Sequence, residues 1–199
     1  MTIPSSTQPV AQASAQGRPT LDLIDQLAAL DEGGATHLLR HRRDKVALAT
    51  QGSYEGLFDP DLAGVSLNER LLVALYACRL SSAEDLATHY RSCLKALPRL
   101  SGLEGAEQET AQSLVEQGKA AELSKVPNLR LRAMLKFTRT LVLNPVAGDK
   151  AALQSLPAAG ISTPAVVSTA QLIAFLSYQI RLVSGLAAMQ AAQQKRVAG

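Results

Sequence analysis

The chain has no tryptophan, three phenylalanines and four tyrosines in 199 residues. A core so poor in rings must be filled by Leu, Ala and Val, which suits helix-on-helix packing. It has only two cysteines, Cys78 and Cys93, too few for a disulfide scaffold. With no secretory signature, they are expected to be reduced thiols of a cytoplasmic protein. Charge is also sparse. A net of +3 gives no dense basic face, so no nucleic-acid partner is expected. Residues 1–19 lack the basic start and apolar stretch of a signal peptide, and their Ser, Gln, Ala and Pro predict a flexible tail. Residues 165–189 are long and apolar, but they carry Gln171, Gln179 and a central Arg181. An arginine in lipid is costly, so this run is read as a buried helix of a soluble protein, with no membrane partner.

What remains is a chain that is 47% hydrophobic and long enough for one domain, residues 20–195. Strand signals are weak and helical spacing recurs throughout. Leu21, Ile24, Leu27, Ala28 and Leu30 predict a first helix, with Thr20 placed to cap it and Gly33-Gly34 to stop it. A second is predicted over residues 37–51, ended by Gly52, followed by a loop over residues 53–65 that carries Gly56, Pro60 and Gly64. Ser66 and Glu69 have capping-box spacing and open a third helix. Ser81-Ser82 makes a turn. A fourth helix, residues 83–97, carries Leu86, His89, Tyr90 and Cys93 on one face and stops at Pro98, before Gly102. Further helices are expected over residues 104–117, from Pro127 or Asn128 to Asn144-Pro145, and over residues 150–159 before Gly160. Pro164 opens the last, to residue 192, with a frayed end beyond. It is apolar nearly all round, so it is expected either at the centre of the core or against another subunit.

Two blocks carry a family resemblance. The first is SLNERLLVALYACRLSSAEDLATHYRSCLKAL, residues 66–97; the second begins NLRLRAMLKF at Asn128 and runs to Leu186, with Gly160, Ile161, Ser162, Tyr178 and Arg181 in matching order. Together they resemble the carboxymuconolactone decarboxylase and alkylhydroperoxidase D-like family, in its peroxidase-related branch. The resemblance implies an all-α, alkylhydroperoxidase D-like helical bundle and a homo-oligomer, a dimer, trimer or hexamer. It also implies an antioxidant ancestry. Peroxidase members share a Glu, eleven residues, Cys-x-x-Cys, three residues and His. Anchored on His89, that motif puts Ser82 and Asp85 where the two cysteines belong and Arg70 where the acid belongs, with Glu69 one residue away.

Thiol peroxidases need a sulfur nucleophile, and neither Ser nor Asp is one. The leading expectation is therefore a small-molecule-binding or accessory member with altered or lost peroxidase activity. Its site is centred on His89, with no cofactor. Tyr178 and Arg181 are the candidate ligand-binding residues. One alternative is a peroxidase using Cys93, one turn beyond His89, with or without Cys78; both cysteines also read as apolar filler. The other is decarboxylase or lactone chemistry with His89 as acid or base. Asp85 lies one turn before His89, where it can pair with the imidazole. Ser82 shares that face, but no G-x-S-x-G elbow supports a hydrolase triad. Arg181 is expected to be buried, with Glu69 or Asp85 as its partner. His37 and His41 have chelating spacing, yet no third ligand is apparent in register, so no metal is expected and they read as a polar face. Arg40 to Lys45 reads as a solvated or inter-subunit face.

Overall fold

The computed structural model describes residues 22–97 and 105–198. The expected N-terminal tail, the Thr20 cap and the Pro98 and Gly102 stops lie outside them. Among the described residues the chain is all-α, with nine α-helices and no strand. In order they are α1 (Leu23–Leu27), α2 (Ala35–His41), α3 (Asp44–Leu57), α4 (Leu67–Leu80), α5 (Glu84–Ala96), α6 (Gly105–Glu116), α7 (Leu129–Leu143), α8 (Lys150–Ala158) and α9 (Thr163–Ala198).

Helix α4 is the axis of the fold. It packs against α5, α6, α7 and α9, and 12 of its 14 residues are buried. Its start is fixed locally. Ser66 Oγ accepts from the Glu69 N–H at 3.2 Å, and Glu69 Oε2 accepts from the Ser66 N–H at 2.9 Å. Both donors would otherwise be orphans of the first turn. Asn128 and Asp149 do the same for α7 and α8, accepting from Leu131 N and Ala152 N at 3.0 and 2.9 Å. Gly160 follows α8 with φ +79°, a left-handed position that favours glycine.

Four boundaries differ from the sequence expectation, the first being α1, which ends at Leu27 ahead of the expected Gly33-Gly34 stop, with Ala29 at φ +49° and Gly34 standing before α2. The single helix expected over residues 37–51 is broken at Arg42-Arg43, where Arg43 leaves helical geometry (φ −122°, ψ 66°). The break lets α2 face α1 while α3 runs on separately. Gly52 does not end α3. It is exposed, with open space where a Cβ would stand, so it adds no packing defect to the helix. The helix therefore continues to Leu57 and takes Tyr54 out of the expected loop. The last helix also runs beyond residue 192, to Ala198. At 36 residues it is roughly 54 Å long. Over Thr163–Arg196 it is long and apolar enough, by length and composition, to cross a membrane; here it packs against α1, α4, α7 and α8.

The buried arginine of this fold is Arg70, and Arg181 is exposed. Arg181 lies on the outward stripe of α9 with Val167, Gln171, Ala174 and Tyr178, and donates only to its own helix, at Ser177 O. Arg70 points into the core. It donates to Leu57 O at 2.6 Å, Asp59 O at 2.8 Å and Ser66 O at 3.4 Å. Burial lowers its pKa, against the pull of Asp59 and Glu69. It ties the end of α3 and the following loop to the first turn of α4. Arg70→Leu would strand two of those carbonyls, each unmade bond costing about 1–3 kcal/mol. Urea unfolding should show a loss of roughly 2–5 kcal/mol, with Arg181→Leu changing stability by under ~0.5 kcal/mol. Equal stability of the two variants would refute the tie.

Candidate functional site

Helix α3 presents Thr50, Tyr54 and Phe58 at i, i+4 and i+8, so the three share one face. Opposite it, α5 presents His89, Tyr90 and Cys93. Tyr54 Oη lies 2.9 Å from His89 Nε2, and Cys93 Sγ lies 3.7 Å from the same nitrogen. The rings interlock. Phe58 stands against Tyr54 and Tyr90, each with centroids 5.1 Å apart, and Tyr90 meets His89 edge-on at 5.1 Å. Behind them, Tyr90 donates to Gln179 Oε1 of α9 at 2.6 Å, and Tyr178 Oη lies 3.1 Å from Thr50 Oγ1. Gln179 Nε2 is buried with no hydrogen-bond partner, an exposed-to-nothing donor of the kind a ligand or water acceptor satisfies.

The electrostatics favour neutral groups. Burial lowers the pKa of His89. Burial raises that of Tyr54, and the neighbouring Cys93 adds to the rise. Burial also raises Cys93, only partly offset by the Tyr54 hydroxyl. With its proton on Nδ1, His89 Nε2 can accept from Tyr54 at 2.9 Å, with the Cys93 thiol a longer, competing contact at 3.7 Å. This is a half-buried proton-transfer pair beside a protonated thiol. It is a poor setting for a thiolate, which needs a cationic or electropositive neighbour. Cys78 is fully buried in α4, and burial raises its pKa too.

The expected constellation is therefore rearranged. His89 is half-buried, and its partner is Tyr54 in place of Asp85 or another acid. Asp85 is exposed, with no hydrogen bond or ion pair among the described residues; it lies in the first turn of α5, turned to solvent. Ser82 is exposed in the α4–α5 turn at φ +56° and belongs to no triad. Glu69 is committed elsewhere. It closes the α4 cap and pairs with Arg130 of α7 at 2.7 Å. Tyr178 does adjoin the group through Thr50, whereas Arg181 faces outward. Spacing placed Tyr90 on the His89 face, and the residues it missed are Tyr54 and Gln179. Tyr54 was hidden because Gly52 looked like a helix stop, although Thr50, Tyr54 and Phe58 already had helical spacing. No family model and no curated protein matches the chain.

The His89 shift makes a pH prediction. Its folded pKa lies below its ordinary value of 6.5. As pH falls through that value, the unfolded chain binds a proton that the folded chain resists, so folded stability drops. Urea midpoints measured between about pH 7.5 and 5.5 should fall for the wild type, and by less for His89→Gln. An identical fall in both would show that His89 is not desolvated.

Proposed function

We propose that the chain is a small-molecule-binding, homo-oligomeric member of the carboxymuconolactone decarboxylase and alkylhydroperoxidase D-like family. In this reading it has lost thiol peroxidase activity. The observation that carries it is the His89 Nε2 geometry: a phenol at 2.9 Å, a thiol at 3.7 Å and no carboxylate. Such a site donates and accepts hydrogen bonds without net charge. It suits a small, mostly apolar molecule with one or two oxygens, held by Tyr54 and His89 and by the orphan donor of Gln179. The raised thiol pKa of Cys93 and the exposed Ser82 and Asp85 argue against peroxide reduction. A second reading is acid–base catalysis of the decarboxylase or lactone type. The Tyr54–His89 pair favours it, because a neutral imidazole bonded to a phenol can move a proton.

Peroxide consumption with a dithiol reductant should stay at background, and Cys93→Ser should not change it. A screen of small carboxylic acids, lactones and quinones by thermal shift should find a ligand whose stabilisation is lost in Tyr54→Phe and His89→Gln. Ligand turnover that survives thiol alkylation would select the acid–base reading. Robust peroxide turnover abolished by Cys93→Ser would overturn both.

The oligomer rests on exposed apolar residues. Val167, Tyr178 and Met189 lie outward on α9, and Leu38, Leu39, Val46 and Leu48 lie outward on α2 and α3. A lone chain rarely leaves so many large apolar side chains on neighbouring elements. Light scattering at micromolar concentration should show more than one chain, and Val167→Asp with Met189→Asp should shift the mass toward the monomer. A monomeric wild type would refute it. Leu176 and Val183 are core residues, so substitutions there test folding.

A further inference from the structure

Away from the His89 group, the break at Arg42-Arg43 brings α2 against α1 and gathers three ligand-type side chains. Asp25 of α1 and His37 and His41 of α2 each offer one donor atom, all within 4.8 Å of one another. Asp25 Oδ2 lies 2.8 Å from His41 Nε2 and 3.8 Å from His37 Nε2. The two imidazoles stand one helical turn apart with ring centroids 4.4 Å apart. Around a tetrahedral zinc ion with bonds of about 2.0–2.1 Å, neighbouring donors are roughly 3.3–3.4 Å apart. These two separations straddle that value and the third donor pair lies within 4.8 Å, so side-chain movements of at most about 1.5 Å close the site.

We propose that Asp25, His37 and His41 form a three-ligand site for a zinc-class divalent transition-metal ion, with a fourth position open to solvent. Two imidazoles and one carboxylate are the donor set of that class, and too nitrogen-rich for magnesium or calcium. The surrounding shell is ordered for it. Arg40, nearly buried, lies 3.0 Å from both Asp25 Oδ1 and Asp22 Oδ2, which turns the other Asp25 oxygen toward the imidazoles. Asp25 Oδ1 is buried and, despite that ion-pair distance, makes no hydrogen bond, so the carboxylate is held by charge and its donor capacity is not used up. Asp44 Oδ1, on an exposed side chain, stands 3.6 Å from His41 Nδ1, beyond hydrogen-bond reach, and adds negative charge beside the site. Three contacts yield on binding, the first being the 2.8 Å hydrogen bond between His41 Nε2 and Asp25 Oδ2, whose shared proton the ion replaces. The Gly33 N–H that approaches His37 Nδ1 at 3.4 Å gives way, since that nitrogen must carry the proton. The Arg40 Nη1 approach to His41 Nε2 at 3.3 Å is also lost. These last two are long. The charge of Arg40 weakens affinity without blocking the site, because Asp22, Asp25 and Asp44 outnumber it.

The test uses the full chain after chelator treatment, titrated with Zn2+ by calorimetry and with Co2+ by visible absorption. One ion per chain should bind, raise the melting temperature and, with cobalt, give the intense spectrum of a low-coordinate site; Mg2+ should do none of this. His37→Gln and His41→Gln should each weaken binding roughly tenfold or more with unchanged circular dichroism. Asp25→Asn should do likewise; because Asp25 also holds Arg40, the two histidine variants decide if it misfolds. Failure to bind Zn2+, or binding unchanged in both histidine variants, overturns the site. So does binding abolished by Cys93→Ser, which would place the ion at the His89 group.

Discussion

Everything in this fold answers to the burial of α4. A helix covered on nearly every side must find partners for its polar groups within the protein, because water is excluded, and of its side chains Asn68 leaves its Oδ1 without one. Four of its polar side chains do so in different ways. Glu69 is spent on the cap and on Arg130. Arg70 is spent on three backbone carbonyls, and the buried hydroxyl of Tyr76 accepts from Arg139 of α7 at 2.6 Å. Arg79, at the exit, donates to Glu116 O at 3.0 Å and to the Glu84 carboxylate. Each bond runs to a different neighbour. The helix that contributes most apolar area therefore also sets the positions of the 57–66 loop, of α5, of α7 and of the end of α6.

The candidate site is a by-product of that arrangement. The α4–α5 turn fixes α5 with Leu86, Ala87, Tyr90 and Leu94 inward, which leaves His89 and Cys93 at the edge of the buried face. Arg70 grips Leu57 O and Asp59 O, so the last turn of α3 is pinned where Tyr54 meets His89. A half-buried imidazole without a carboxylate stays neutral, and a thiol beside a neutral imidazole stays protonated. Among the described residues the groups facing His89 Nε2 are a phenol and a thiol, both hydrogen-bonding groups.

Much of the fold could be read because its signals are local. The Ser66 capping box, the Asn128 start, the Asn144-Pro145 break and Gly160 each act within a few residues. What could not be read depends on pairing across the chain. Gly52 looks like a stop until its outward face is known. Arg181 looked buried because its neighbours are apolar, yet burial follows the phase of the helix, and position 181 falls on the outward stripe. Arg70, which the motif alignment placed at the acid position, is the most deeply buried cation among the described residues, and no local signal marks its long-range carbonyl partners. Asp85 had the right spacing for His89, but spacing sets only proximity on a helix surface, and the side chain that could also be packed inward was Tyr54.

The three histidines divide along the same line. His89 lies against rings and a thiol, where loss of water favours the neutral base. His37 and His41 lie against the carboxylates of Asp25 and Asp44, the setting of the proposed metal site. The break at Arg42-Arg43 separates these environments. It ends α2 so that its histidines turn to α1, and it starts α3 in a new direction so that Tyr54 turns to α5. The two candidate groups therefore lie on successive helices with different neighbours, α2 against α1 through Asp25 and α3 against α5 through Tyr54 and His89.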